Sequence, residues 1–203
     1  MPNSNVQKVK IGGVTFNKAD VKSSEVIVKD GKKINSVFLQ DGTHVEFPTQ
    51  SAENKSSVSQ NNSTYSQPTY EFGYNMMSGK FEPHWTVKEY EDPSKKITNF
   101  HRMSGATITG TENEDTYNLY GCSNSKVDVS QNDGKADTVR DSKDHTGSLF
   151  GGTDWTHDNN TFKLGESDTA TVHDDSRTRT TFFPKNKHYK GKGTYNSGND
   201  NNK

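Results

Sequence analysis

Acidic and amide residues recur in the second half of the 203-residue sequence, each directly before a Thr and an apolar residue. The phrase begins at Asp115, Asp137 and Asn160, which are 22 and 23 residues apart, and a looser copy follows at Arg179. Carboxylate and amide oxygens are ligands that Ca²⁺ prefers. The same residues also shape turns through hydrogen bonds to the backbone. The spacing therefore favours either a row of cation ligands or a row of turn residues.

A second cluster combines carboxylates with an aromatic ring. Asp154, Trp155, His157 and Asp158 are close together in the sequence. A Trp ring beside two carboxylates is an arrangement that carbohydrate sites often use, so we expect these four residues to bind a ligand. The alternative is a solvated polar turn, because a catalytic base or metal site needs such groups to converge in space. The pairs at 144–145 and 173–175 are interpreted in the same way.

Cys122 is the only cysteine of the chain. An intramolecular disulfide and a cysteine-based zinc site are therefore excluded. No local pattern pairs this thiol with a histidine, so the sequence indicates a small buried or turn-lining residue and not a nucleophile.

Residues 110–118 can be aligned with the nine-residue pattern G-G-x-G-x-D-x-U-x, with Gly110 first, Asp115 sixth and Tyr117 eighth. This resembles the hemolysin-type (RTX) calcium-binding repeat, in which the turns of a parallel β-roll hold Ca²⁺ between successive rungs. Thr111 and Asn113 depart from the pattern, because they stand where it has glycines. The resemblance implies a calcium site formed by Asn113, Asp115, Asp133 and Asp137.

The recurring phrases alternate with a second set of β-prone segments at 106–109, 127–129, 148–150 and 170–172. Two short strands in each turn of about 20 residues are what a β-solenoid needs, because each rung buries one apolar row and bonds to its neighbours. We therefore expect residues 104–183 to form a short parallel β-helix or β-roll. In this fold Tyr117, Val139 and Phe162 would lie one above another.

Composition supports an all-β chain with a thin core. Apolar residues make up only 26% of the sequence, and the formal net charge is −1. Helix formers are scarce, whereas Val, Thr, Phe and Tyr favour strands. Residues 101–183 hold 8 Lys and Arg against 14 Asp and Glu. This acidic excess argues against nucleic acid as a partner, since phosphate binding needs a basic surface.

The remaining segments differ in character. Residues 1–48 are predicted to form a small β-meander, because Asp-Gly pairs at 30–31 and 41–42 separate alternating apolar runs. The polar stretch 49–68 is expected to be a flexible linker. The aromatic segment 69–103 is expected to cap the solenoid or to form a platform for sugar rings. Residues 184–203 are expected to be a disordered basic tail.

These features favour a non-catalytic extracellular or surface module, comparable to an adhesin or appendage, that binds calcium and a polysaccharide or cell-surface partner. The alternative is a carbohydrate-active enzyme, a polysaccharide lyase or hydrolase on a β-helix. The N-terminus lacks the apolar core of a secretory signal, and no apolar run reaches membrane-spanning length. We therefore expect secretion or surface display without a cleaved N-terminal signal, with a cytoplasmic location as the alternative.

Overall fold

The computed structural model describes the backbone of residues 6–131, 134–148, 151–155, 159–165, 167–173, 188–191 and 194–197. It confirms the all-β class. The described strands form two mixed sheets, one of eight strands and one of seven, and a separate two-stranded sheet. Helical structure in the described chain consists of two single 3₁₀ turns, Lys18–Asp20 and Ala52–Asn54.

Five short strands come first. They are β1 (Lys8–Ile11), β2 (Val14–Asn17), β3 (Val21–Lys29), β4 (Lys32–Leu39) and β5 (His44–Phe47). Asp30 and Gly31, between β3 and β4, have φ values of 52° and 73°. Two consecutive residues with positive φ form the turn that best matches the twist of a hairpin. The predicted Asp-Gly hairpin is therefore present.

The N-terminal strands are divided between the two large sheets. β1 and β2 lie at one edge of the eight-stranded sheet, whereas β3, β4 and β5 lie at one edge of the seven-stranded sheet. The buried rings of Phe16 and Phe47 belong to the same hydrophobic core as Tyr117 and Phe162. The strands of the predicted meander thus extend the sheets of the repeat region and share its core.

Two long strands follow, β6 (Ser57–Asn75) and β7 (Lys80–His101). They form one antiparallel hairpin, with an irregularity between Asn62 and Ser63. β6 begins beside β2, where Ser57 and Val58 pair with Thr15 and Phe16. The expected linker at 49–68 is therefore strand from residue 57 onwards. Most side chains of this part are polar, but its backbone is paired with β7 from Ser57 onwards.

Strands from the repeat region continue both sheets in pairs. The first two pairs are β8 (Thr107–Thr109) with β9 (Thr116–Tyr120) and β10 (Lys126–Val129) with β11 (Thr138–Ser142). A hairpin of β12 (Asp144–Ser148) and β13 (Gly151–Trp155) follows. The last two pairs are β14 (Thr161–Leu164) with β15 (Thr169–His173) and β16 (His188–Gly191) with β17 (Thr194–Ser197). The first members pair in parallel in the seven-stranded sheet, in the order β8, β10, β14 and β16. The second members pair in parallel in the eight-stranded sheet, in the order β9, β11, β15 and β17.

The registers of these strands place apolar residues in two buried rows. Tyr117 lies opposite Val139, which lies opposite Ala170. On the other sheet, Ile108 lies opposite Val127, which lies opposite Phe162. All six side chains are at most 1% exposed. Each row therefore gives the core one side chain per strand.

The expected column of Tyr117, Val139 and Phe162 is wrong at its third member. Tyr117 and Val139 are neighbours, but Phe162 belongs to the opposite sheet. The hairpin of β12 and β13, which spans 144–155, is inserted between β11 and β14. This insertion shifts the repeat, so the phrase starting at Asn160 forms the first strand of its pair and not the second. The copy starting at Arg179 lies outside the described residues.

The aromatic segment 69–103 does not cover the end of the strand stack as a buried cap. Only its last part, Ile97 to His101, pairs with β9 and so begins the parallel series of the eight-stranded sheet. The rings of Phe72 and Trp85 are 72% and 71% exposed. These rings lie on the outer part of the hairpin, where β6 and β7 pair with each other and with no other described strand.

No helix in the described part of the chain is both long enough and apolar enough to cross a membrane.

Candidate functional site

Three aspartates stand before consecutive strands of the eight-stranded sheet, and each accepts a hydrogen bond from the backbone of the preceding rung. The N–H of Lys96 donates to Asp115 Oδ1 at 3.2 Å, that of Asp115 to Asp137 Oδ1 at 2.8 Å, and that of Asp137 to Asp168 Oδ1 at 3.1 Å. All three aspartates are at most 3% exposed. We call Asp115, Asp137 and Asp168 the carboxylate ladder.

A second ladder runs beside the seven-stranded sheet. The N–H of Ala106 donates to Ser125 Oγ at 3.3 Å, and the N–H of Ser125 donates to Asn160 Oδ1 at 3.0 Å. The amide group of Asn160 also donates to the carbonyl of Cys122 at 2.8 Å and to Asp141 Oδ2 at 3.0 Å. Asn160 is thus a buried turn residue, but it belongs to this ladder and not to the column of Asp115 and Asp137.

The structure describes three of the four predicted calcium ligands. Asn113 is exposed, whereas Asp115 and Asp137 are buried and accept N–H bonds. Asp133 lies outside the described residues. Among the residues described, no group of three His, Cys, Asp or Glu side chains is arranged to hold a metal ion. Calcium binding therefore stays a prediction.

Asp115 is also part of a polar network inside the core. Tyr117 Oη donates to Asp115 Oδ2 at 3.3 Å and lies 3.4 Å from Thr43 Oγ1. Thr43 Oγ1 and the side-chain amide of Gln60 both donate to Asp41 Oδ2, at 2.9 Å and 2.6 Å. This network connects the turn before β5, the long hairpin and the repeat strands through the buried Thr43, Asp115 and Tyr117 and the partly buried Asp41 and Gln60.

Burial controls the acid–base properties of this network. Loss of solvation raises the pKa of Asp115 above its ordinary value, although bonds from Thr111, Lys96 and Tyr117 act in the opposite direction. Burial, and then the charge of Asp115, raises the pKa of Tyr117 well above its usual range. Tyr117 therefore remains a neutral hydrogen-bond donor.

Cys122 is buried, with its Sγ 3.4 Å from the carbonyl oxygen of Phe100. Burial raises the pKa of its thiol to about 12. Because the thiolate is the reactive form, this cysteine is a core residue and not a nucleophile. The prediction of a buried thiol is confirmed.

The cluster predicted to bind carbohydrate lies at the inserted hairpin. Asp154 and Trp155 are in β13, opposite His145 and Asp144 of β12. His157 and Asp158 are outside the described residues, so their placement relative to Trp155 stays a prediction. On the described side, Asp144 accepts a bond from Arg102 Nε at 2.8 Å.

The outer part of the long hairpin, residues 63–92, forms a two-stranded arm with two different faces. Paired residues of an antiparallel ribbon point to the same face, and successive residues alternate between faces. One face carries eight apolar side chains in four cross-strand pairs, namely Pro68 with Val87, Tyr70 with Trp85, Phe72 with Pro83 and Tyr74 with Phe81. All eight are exposed. We call this set the apolar face of the arm.

The opposite face of the arm is mostly polar, apart from the stacked rings of Tyr65 and Tyr90 near its base. Its pairs include Gln67 with Lys88, Glu71 with His84, and Asn75 with Lys80. Lys88 and Glu71 form an exposed ion pair across the strands. The connecting turn places Met76 and Met77 at the tip, where they are 88% and 99% exposed.

The rings on the apolar face lean against one another and do not form a plane. The centroids of Tyr70 and Trp85 are 4.9 Å apart with an angle of 57° between the rings. Tyr74 and Phe81 are 5.4 Å apart at 60°. The first pair is tilted and the second is edge-to-face. The paired rings of the face are therefore not coplanar.

A polar cleft of about 400 Å³ lies at the base of the arm, where the hairpin is irregular. Its lining includes Asp20, Gln40, Gln60, Asn62, Glu91 and Lys96. Lys96 Nζ donates to Asn62 Oδ1 within it. The cleft is therefore hydrophilic.

Sequence reasoning missed Asp168. It singled out the aromatic segment 69–103 as a cap or a platform, but it missed the strand pairing that places these rings on one face. Asp168 precedes Thr169 and Ala170, so it has the recurring phrase in a form with a small apolar residue. The arm was signalled by the strict alternation of Tyr70, Phe72 and Tyr74 with polar residues. Alternation of this kind indicates a strand with one apolar face.

Comparisons with protein-family models, with curated proteins and with solved structures found no match to this chain. What the fold and the site define is an all-β protein with ladders of buried turn residues and an exposed amphipathic arm.

We expect substitution of the middle ladder residue to destabilise the fold. Asp137→Ala would leave the buried N–H of Asp115 without its acceptor, which costs about 1–3 kcal/mol. The control is Glu114→Ala, because Glu114 is partly exposed and pairs with the partly exposed Lys95, an interaction worth up to about 1 kcal/mol. Urea unfolding measures both free energies. Equal losses in the two variants would contradict the role of the ladder.

The raised pKa of Asp115 predicts a pH dependence of stability. Folding raises the pKa of this carboxyl, so protonation stabilises the folded state. This stabilisation is complete at a pH below the pKa of the unfolded state, and it is lost as the pH rises through the pKa of the folded state. The free energy of unfolding of the wild type, relative to Asp115→Asn, should therefore increase as the pH falls from neutral towards about 4.

Asp92 provides the matched control, because bonds from the Ser94 side chain and then its backbone lower the pKa of this exposed carboxyl. Its contribution is present above the unfolded pKa and is lost as the pH falls, so Asp92→Asn should give the opposite trend in the same urea titrations. A difference between the wild type and Asp115→Asn that decreases on acidification would overturn the assignment.

Proposed function

We propose that this chain is a non-catalytic binding module in which a short β-solenoid supports the arm as the binding surface. The observation that carries the proposal is the stacking of parallel strands in register on both sheets. Tyr117, Val139 and Ala170 fill one side of the core, and Ile108, Val127 and Phe162 fill the other. Successive rungs that bury one residue each and bond to their neighbours are what a solenoid requires.

The use of the acidic residues supports a non-catalytic role. A catalytic carboxylate must reach a substrate, whereas the carboxylates of Asp115, Asp137 and Asp168 accept backbone N–H bonds inside the protein. Asp141, which lies in β11, accepts a bond from Asn160 and is 2% exposed. The buried acids of the repeat strands are thus engaged in holding turns and strands together.

The setting outside the cell or at its surface is part of the same proposal. It rests on the polar composition of the chain, which is rich in Ser, Thr and Asn, and on the likeness of residues 110–118 to the RTX repeat. Binding of a polysaccharide or a surface partner would fall to exposed side chains, and the arm offers the largest apolar ones.

We expect the solenoid to remain folded without calcium, because the carboxylates of Asp115 and Asp137 already accept hydrogen bonds from backbone N–H groups. Thermal unfolding followed by circular dichroism should give the same midpoint in millimolar Ca²⁺ and in EGTA. The matched control is Mg²⁺ at the same concentration. A midpoint that rises in Ca²⁺ alone would instead support the metal site predicted at Asn113, Asp115, Asp133 and Asp137.

The non-catalytic role predicts that the protein releases no product from polysaccharides. Neutral and acidic polysaccharides would be incubated with the full chain and assayed for reducing ends and for unsaturated uronides. A boiled sample serves as the control. Product formation that is lost in Asp154→Asn and Asp158→Asn would overturn the proposal and establish the enzyme alternative at the predicted cluster.

A further inference from the structure

The apolar face of the arm is an exposed surface that the rest of the described chain leaves uncovered. Phe72, Phe81 and Trp85 are 72%, 73% and 71% exposed, and Val87 is 69% exposed. Such residues occur singly on most proteins, but a contiguous apolar patch marks an interaction site. Here they form four adjacent cross-strand pairs with no polar residue between them.

The arm is also incomplete as a structural unit. Beyond the irregularity at Asn62 and Ser63, β6 and β7 pair only with each other in the described chain. An isolated two-stranded hairpin is at best marginally stable in water, and it becomes stable when its apolar face packs on another layer. The arm therefore needs a second layer over its apolar face.

We infer that this layer is the same face of a second copy of the chain, so that two arms pack face to face in a symmetric dimer. The inference rests on the proposed function, in which the arm is the binding surface. Two such ribbons would form a four-stranded sandwich with the rings between them, at the usual distance of about 10 Å. Met76 and Met77 at each tip would reach the base of the other arm if the ribbons are antiparallel.

The size of the face agrees with a dimer. A buried aromatic side chain contributes about 150–250 Å², so the exposed parts of the five rings, with Val87 and the two prolines, amount to on the order of 800 Å² per copy. A stable interface buries roughly 800 Å² per partner. The apolar face alone is therefore large enough for association without further contacts.

The shape of the face favours a protein surface over a sugar. Stacked sugar rings need aromatic faces that are open and roughly coplanar, whereas Tyr70 and Trp85 are inclined by 57° and Tyr74 and Phe81 by 60°. Aromatic rings favour such tilted and edge-to-face contacts with further rings. A second copy offers rings of the same size and spacing, and a symmetric interface uses the same patch on both partners.

The charges on the back of the arm favour the same choice. The polar face holds Lys80 and Lys88 together with Glu71, Glu82 and Asp92. Negative groups outnumber positive ones, so the arm has no positive excess to attract an acidic lipid surface. In a face-to-face dimer this polar side faces water on both outer surfaces.

The test compares two double variants of the full chain. Phe72→Thr with Trp85→Thr changes the apolar face, and Glu71→Thr with His84→Thr changes the back face at adjacent positions of the same strands. Thr favours strands in both variants, so the backbone of the arm is equally supported. Light scattering after size-exclusion chromatography and sedimentation equilibrium give the mass, and circular dichroism follows the unfolding of the two large sheets.

We expect the wild type and the back-face variant to be dimers at micromolar concentration, and the apolar-face variant to have at least tenfold weaker association with an unchanged body. A monomeric wild type would overturn the inference, as would an apolar-face variant that dimerises as strongly as the wild type. A monomeric wild type that binds glycans or neutral lipid vesicles through these residues would also overturn it. None of these three results would affect the proposed non-catalytic role, because the polysaccharide assay tests that role separately.

Discussion

The stack of parallel strands depends on one interaction, the bond from a turn N–H of one rung to the side chain of the next. In the interior of a sheet, neighbouring strands satisfy each other's backbone groups, but at a turn the chain changes direction and this pairing ends. Asp115, Asp137 and Asp168 supply the missing acceptors on one sheet, and Ser125 and Asn160 supply them on the other. Each bond also fixes which residue of one rung lies over which residue of the next.

This constraint explains how a chain with so few apolar residues forms a core. Each rung contributes only a few side chains, and buried ones such as Tyr117 and Phe162 must meet their neighbours in register. A shift by one residue would turn every apolar side chain towards water. Buried hydrogen bonds that hold the register thus compensate for the small amount of apolar surface. Their cost is visible at Asp115, whose carboxyl is desolvated enough for its pKa to be raised.

The sequence predicted the local features better than the order of the repeats. The Asp-Gly turn at 30–31 was predictable because its residues favour positive φ wherever they occur. Asp115 and Asp137 were predictable as neighbours because no insertion separates their rungs. The sequence placed Asn160 in the position of the ladder that Asp168 occupies. The reason is that the hairpin of β12 and β13 adds a non-repeating segment, and a fixed period cannot detect such an insertion. The aromatic segment of the arm was recognised, but its pairing as a hairpin was not. The polar stretch at 49–68 suggested a linker, although the alternation after Pro68 indicates a strand.

The two parts of the hairpin show how burial divides one strand pair between two roles. Near its base, Val58 and Phe100 are opposite each other and at most 2% exposed, so this part belongs to the core. Beyond the irregularity at Asn62, the same two strands carry larger apolar side chains that the core does not cover. A chain with a shortage of apolar residues gains nothing for its own fold by placing rings as large as Trp85 in water. Contact with another surface would remove those rings from water, and for that reason the proposed binding role is placed on the arm and not on the stack.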